Sequence, residues 1–129
     1  MVLDAGCLSL HFIADPRLRR HFDEIEDEAK MGHVSSVNLS EFYYKTCQSA
    51  GRHAADLRYY QLRRTKVQVV ETDEQLTRAA GLEKCRQPHR LSLADCYALS
   101  LAKKLKATLL TTDGELAKTK DVKTLHFKP

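Results

Sequence analysis

Apolar positions come in short bursts along the chain, and their spacing alternates between strand-like and helical. Val2-Leu3 is a brief apolar run ending at Asp4, after which Cys7, Leu8, Leu10 and Phe12 suggest a helix over residues 5–13. Asp15-Pro16 opens a new segment, because a residue before proline avoids the helical region. Residues 17–30 then read as a charged surface helix that Gly32 breaks. His33-Val34-Ser35 is a second strand candidate. Ser36 is placed to cap a helix through about Ser49, striped by Val37, Leu39, Phe42, Tyr43 and Cys47 and ended by Gly51. Residues 52–64, with Leu57, Tyr60 and Leu62, predict another helix, and Val67 to Val70 a β-branched strand. Asp73 caps a helix to about Cys85, with Leu76, Ala79, Ala80 and Leu82 inside. The loop Gln87-Pro88-His89-Arg90 leads into the most apolar helix, Leu93 to about Lys106, where Ser92 and Asp95 have capping-box spacing. Ala107 to Thr111 is a fourth strand ending at Asp113, and Val122 to Leu125 a last one. Strands alternating with helices imply right-handed crossovers and a mainly parallel central sheet with helices on both faces, an α/β fold.

The 129 residues suit one domain, spanning 1–129. No repeat or Pro/Gly-rich linker divides them. No apolar run nears the roughly 20 residues of a membrane helix, and Met1-Val2-Leu3-Asp4 has no signal-peptide pattern, so a cytoplasmic protein is expected. Cys7, Cys47, Cys85 and Cys96 form no CxxC pair, which leaves them as ordinary thiols. The net charge of +4 is mild, but Arg17, Arg19 and Arg20, then Arg58, Arg63 and Arg64, then Lys103, Lys104 and Lys106 are grouped. Such groups can meet phosphates or simply face solvent.

The chemistry lies in the acids. Ligands of open α/β sheets bind beyond the carboxyl ends of the strands. Asp4 and Asp113 follow strands there, while Glu41 and Asp95 sit near the starts of helices whose N-termini point to the same edge. Each has an ordinary reading: a turn for Asp4 and Asp113-Gly114, a surface glutamate for Glu41, a cap for Asp95. Together, four converging carboxylates stay ionised only if cations neutralise them. An all-oxygen ligand set suits Mg²⁺ or Mn²⁺ better than zinc, and such a metal activates water for phosphodiester hydrolysis. The six histidines lack ligand spacing. His89 is placed to reach a phosphate or to stand free on the surface. Tyr43, Tyr44, Tyr59 and Tyr60 either stack on bases or pack a helix pair.

Val2-Leu3-Asp4, the helix start Asn38-Leu39-Ser40-Glu41, the run from Leu91-Ser92-Leu93-Ala94-Asp95 to Ala102, and Ala107 to Asp113 resemble the PIN domain in order and spacing. The likeness spans nearly the whole chain and is strongest to VapC-type toxins. It implies a three-layer α/β/α fold, usually dimeric, that cleaves RNA with Mg²⁺ or Mn²⁺. It further implies that Asp4, Glu41, Asp95 and Asp113 bind the metal and are catalytic, that the Thr111 hydroxyl lies near the last acid, and that Glu115 supplies an outer-shell carboxylate. The expected function is thus a metal-dependent endoribonuclease, the toxin of a VapBC-type pair, with RNA as substrate, a homodimeric state and an antitoxin as partner. An arginine from the antitoxin, entering the acids, would silence it.

Two positions depart from the family pattern. Ala5 and Gly6 follow Asp4 where a threonine or serine is common, and Gly114-Glu115-Leu116 follows the last acid. The first departure keeps open a catalytically weak PIN domain acting as an RNA-binding or interaction module. A receiver domain would need paired acids at the first strand, and a haloacid-dehalogenase-type phosphatase an Asp-x-Asp. Gly6 occupies that second place. No glycine-rich phosphate loop follows Leu3.

Overall fold

The computed structural model describes residues 1–129. Five short strands form one sheet: β1 (Val2–Leu3), β2 (His33–Ser35), β3 (Gln68–Val70), β4 (Leu109–Thr111) and β5 (Thr124–His126). Their order is β3-β2-β1-β4-β5 and every pairing is parallel. Six helices make the connections: α1 (Ala5–Phe12), α2 (Pro16–Glu26), α3 (Ser36–Ala50), α4 (Arg52–Arg64), α5 (Glu74–Arg86) and α6 (Leu93–Leu105). A 3₁₀ turn spans Leu116–Lys118.

Adjacent strand residues point to opposite faces, and the two faces bury separate cores. Leu3, Val34 and Leu110 pack with Leu8, Leu18, Phe22, Phe42 and Leu62 from α1–α4. Val2 and Leu109 pack with Leu76 and Ala80 of α5 and with Leu99, Leu101 and Ala102 of α6. This is the expected three-layer α/β/α architecture. The central strands β1 and β4 are covered on both sides, so their two- and three-residue runs are wholly buried rather than alternating, and apolar up to Thr111.

Several boundaries differ from expectation for local reasons. The second helix stops at Glu26, not near residue 30. Glu28 takes a left-handed backbone (φ 60°), and the amides of Ala29 and Lys30 both return to the Glu24 carbonyl. Ser35 rather than Ser36 caps α3, accepting from the Asn38 amide at 3.0 Å. Ser36 instead pairs with the Thr72 hydroxyl. Gly51 does end α3, at φ 90°, where a side chain would be strained. The last strand is displaced to Thr124–His126, because β5 pairs with β4 through Leu110 and Leu125. Val67 is buried but precedes β3.

Two helical stripes are also corrected. Leu82, Leu57 and Tyr60 are exposed, whereas Glu83 is buried and bonded to Lys103 Nζ at 2.7 Å. All four cysteines are free thiols. No helix is long and apolar enough to cross a membrane. The tyrosines divide: Tyr43 and Tyr59 pack edge to face between α3 and α4, with the Tyr43 hydroxyl donating to Asp56 at 2.6 Å, the exposed Tyr60 meets only Tyr59 of its own helix, and Tyr44 has no aromatic partner.

Candidate active site

The carboxyl ends of the strands and the N-termini of α1, α3 and α6 meet at one edge of the sheet, and the acids expected there occupy it. Asp4 leaves β1 in an extended conformation and caps α1, its Oδ1 accepting from the Cys7 amide at 2.9 Å. It is only 5% exposed. Its Oδ2 accepts from the Thr111 hydroxyl at 2.5 Å and the Thr112 amide at 3.1 Å. Burial, and next to it the charge of Asp4, push the Cys7 thiol far up, so the neighbouring wall stays neutral.

Thr111 is fully buried at the end of β4, and its hydroxyl has a second role. It accepts from the Asp113 amide at 2.9 Å, so one oxygen couples the segments carrying Asp4 and Asp113. Asp113 in turn accepts from the Leu116 amide at 2.7 Å through Oδ1 and so starts the 3₁₀ turn. Its Oδ2 has no protein donor.

Asp95 forms the capping box anticipated at the start of α6. Ser92 Oγ accepts from the Asp95 amide at 3.1 Å, and Asp95 Oδ2 accepts from the Ser92 amide at 3.2 Å. Burial and then the charge of Asp113 raise the Asp95 carboxyl above the usual range. Hydrogen bonds from Ser92 oppose the shift, and the charge of Glu41 adds to it. Asp113 and Glu41 therefore lie close enough for Asp95 to feel their charges. Glu41 sits one turn into α3 and has Lys45 Nζ at 3.6 Å.

The carboxylates converge without closing on a point. No three His, Cys, Asp or Glu side chains stand together as a ready cage for one ion. Asp4 spends both oxygens on its donors, and Asp95 and Asp113 each spend one. Glu115 turns elsewhere, pairing with Lys118 at 2.9 Å and facing Arg90 at 3.9 Å. His89 is exposed on its loop.

Three supporting residues were not legible as such. Asn38 is 1% exposed and its Nδ2 donates to the Ala94 carbonyl at 3.0 Å, fastening the helix that bears Glu41 to the helix that bears Asp95. Its place in the Asn38-Leu39-Ser40-Glu41 start was the available signal. Arg90 donates to the Glu115 carbonyl at 2.9 Å and to Gln87, bracing the loop before α6 against the turn after Asp113. Gly6 is the third. A Cβ there would overlap the Thr112 side chain, so glycine lets that segment approach and its amide reach Asp4. The missing hydroxyl after Asp4 is thus answered from β4, by Thr111. Replacing Asn38 with alanine is expected to cost about 1–3 kcal/mol, since the Ala94 carbonyl loses its side-chain donor in a tight place. Urea denaturation measures it.

The family model for the PIN domain matches residues 1–122. The chain belongs to the PIN domain family. No curated protein matches it. Among solved structures, this PIN domain is similar to VapBC2 from Rickettsia felis bound to a promoter DNA fragment, with a TM-score of 0.74 at 15% identity over 97% of this chain and 96% of that one. It is similar also to DNA-bound VapBC from Salmonella typhimurium, with a TM-score of 0.73 at 17% identity over 97% and 96%. A third is VapC20 of Mycobacterium tuberculosis, a toxin that cleaves the sarcin–ricin loop, with a TM-score of 0.69 at 17% identity over 90% and 92%. At these identities the likeness establishes the fold.

Proposed function

We propose that this PIN domain is a metal-dependent endoribonuclease, the toxin of a VapBC-type toxin–antitoxin pair, working as one cytoplasmic domain over residues 1–129. The observation that carries the reading is that a PIN domain brings Asp95, Asp113 and Glu41 together at the carboxyl edge of its sheet, where burial and the charges of Asp113 and Glu41 raise the Asp95 carboxyl. A cluster of like charges is a standing electrostatic cost that a divalent cation removes. Asp4, Glu41, Asp95 and Asp113 are the residues that would hold Mg²⁺ or Mn²⁺, and their all-oxygen chemistry fits those ions. When bound, the cation supplies activation of water and neutralisation of the phosphoryl charge.

The protein's own share is positioning. The Thr111 hydroxyl sets Asp4 relative to Asp113, and the Asn38 bond sets α3 relative to α6. The oxygens of Asp95 and Asp113 that have no protein donor are left for a ligand. Thr111 acts from behind the acids, whereas Glu115, paired with Lys118 and near Arg90, joins them only by releasing those partners.

The likeness to VapBC complexes supports an antitoxin as partner. A homodimer is proposed as the working form on the resemblance to the family alone. Purified, antitoxin-free protein is expected to cut a mixed RNA pool with Mg²⁺ or Mn²⁺ and not with EDTA. Cutting that persists in EDTA would overturn the metal dependence. No cutting under any condition would turn the reading to a PIN domain that binds RNA without cleaving it.

A further inference from the structure

Beside the acids, an open groove of about 490 Å³ runs between the first turns of α3 and α6, lined by Ser36, Val37, Ser40, Glu41, Tyr44, Ser92 and Ala94. Four of the seven lining residues carry hydroxyls, the single charge is Glu41, and no lysine or arginine lines it. Such a wall does not attract a phosphate. It suits a neutral, hydrogen-bonding, flat group.

Tyr44 adds the face for that group. It is 47% exposed and, unlike Tyr43, Tyr59 and the more exposed Tyr60, it has no aromatic partner. The groove is also firmly built at its closed side, where Asn38 ties α3 to the Ala94 carbonyl and the capping box fixes Ser92.

Resting on the ribonuclease reading, we infer that this groove is a nucleoside subsite. It takes the base and ribose adjoining the scissile phosphate, the base stacked on Tyr44 and the sugar and base edges among the hydroxyls of Ser36, Ser40 and Ser92. Glu41 closes the subsite at its inner end and belongs to the acids, so a nucleoside lodged here delivers its phosphate to them. A base can enter only when it is unpaired and unstacked, so the substrate is a single-stranded segment or loop of RNA. The subsite, not the acids, then selects the nucleotide beside the cut.

The test separates this inference from the nuclease reading by using binding and cleavage together. The probe for binding is a fluorescein-labelled single-stranded RNA 12-mer of mixed sequence, read by anisotropy with Mn²⁺ on Asp95→Asn protein. Adding Tyr44→Ala is expected to weaken binding about tenfold, within the range for loss of one stacking aromatic, and Tyr44→Phe to leave it nearly unchanged. The same strand annealed into a duplex is expected to bind more weakly than the single strand.

The probe for cleavage is a randomised RNA pool cut by protein with intact acids and sequenced at its new ends. A nucleotide preference at one position flanking the cut should flatten in Tyr44→Ala and shift in Ser40→Ala, with cutting slowed in step with weaker binding and still abolished by EDTA. Unchanged binding and unchanged preference in Tyr44→Ala, in a protein that does cut, would overturn the subsite and leave the nuclease standing. If no variant cuts, the nuclease reading fails, and the anisotropy comparison alone decides the subsite.

Discussion

Asp95→Asn is expected to lower metal-dependent RNA cleavage by at least about 10³-fold while making the folded protein slightly more stable. The two effects come from one feature. Burial and the nearby charges of Asp113 and Glu41 raise the Asp95 carboxyl, so its ionised form is held at a cost. Asparagine removes the charge and keeps an oxygen to accept from the Ser92 amide, so the start of α6 is preserved. What it forfeits is the attraction between a carboxylate and the helix N-terminus, about 0.3–1 kcal/mol. Repulsion and burial outweigh that term, and a rise in Tm of up to about 4 °C at pH 7 is expected in EDTA.

The pH dependence follows from the same direction of shift. A carboxyl raised in the folded state binds its proton more tightly there than in the unfolded chain, so the folded state gains as pH falls. The wild-type penalty is present above the raised folded pKa and is relieved as pH falls through it toward the ordinary value of 3.8. The Tm advantage of Asp95→Asn should therefore shrink over that interval and vanish below it. With saturating Mn²⁺ the ranking should reverse at neutral pH, because the wild type gains binding energy that the variant lacks. Thermal melts across pH, with and without Mn²⁺, and cleavage assays on the same samples measure all of it. A variant that melts lower than wild type in EDTA at pH 7 would show that Asp95 is a cap and not a member of a repelling cluster.

The sequence made the fold readable because each decisive signal was local. β1 and β4 are apolar on both faces, and Ser92 and Asp95 form a box within four residues. What escaped were features settled by distant partners. The end of α2 depends on the Glu24 carbonyl collecting two amides. Leu82 and Glu83 exchange the places that a helical stripe suggests, because Lys103 of α6 reaches Glu83. The candidate site shows the same division. Asp4, Glu41, Asp95 and Asp113 could be named from their places at element ends. The residues that hold them, Asn38, Arg90 and Gly6, act across separations that no spacing rule covers. Gly6 is the instructive case: it read as a lost hydroxyl after Asp4, and it is the space that lets Thr112 come close.

Thr111→Val is expected to disable the site from behind without touching its solvent face. Valine keeps the shape of threonine and the packing at the end of β4, but it removes the one oxygen that serves both segments. Asp4 Oδ2 would keep only the Thr112 amide, and the Asp113 amide would lose its acceptor at a partly buried position. A donor stranded in that way costs about 1–3 kcal/mol, which urea denaturation would register. The larger effect falls on the metal. Groups that orient ligands from behind typically change affinity by about 10–100-fold, so the Mn²⁺ dissociation constant should rise by that factor in calorimetry, and cleavage at low Mn²⁺ should fall with it. Thr111→Ser restores the hydroxyl and should recover most of both. Asp4→Ala is the harsher control, since it strands the Cys7 amide, the Thr111 hydroxyl and the Thr112 amide together, and it is expected to lose about 3–5 kcal/mol of stability. If Thr111→Val loses stability while its Mn²⁺ affinity stays at the wild-type value, the Asp4 carboxylate is held by Thr111 for the fold alone, and the metal must be sought among Glu41, Asp95 and Asp113.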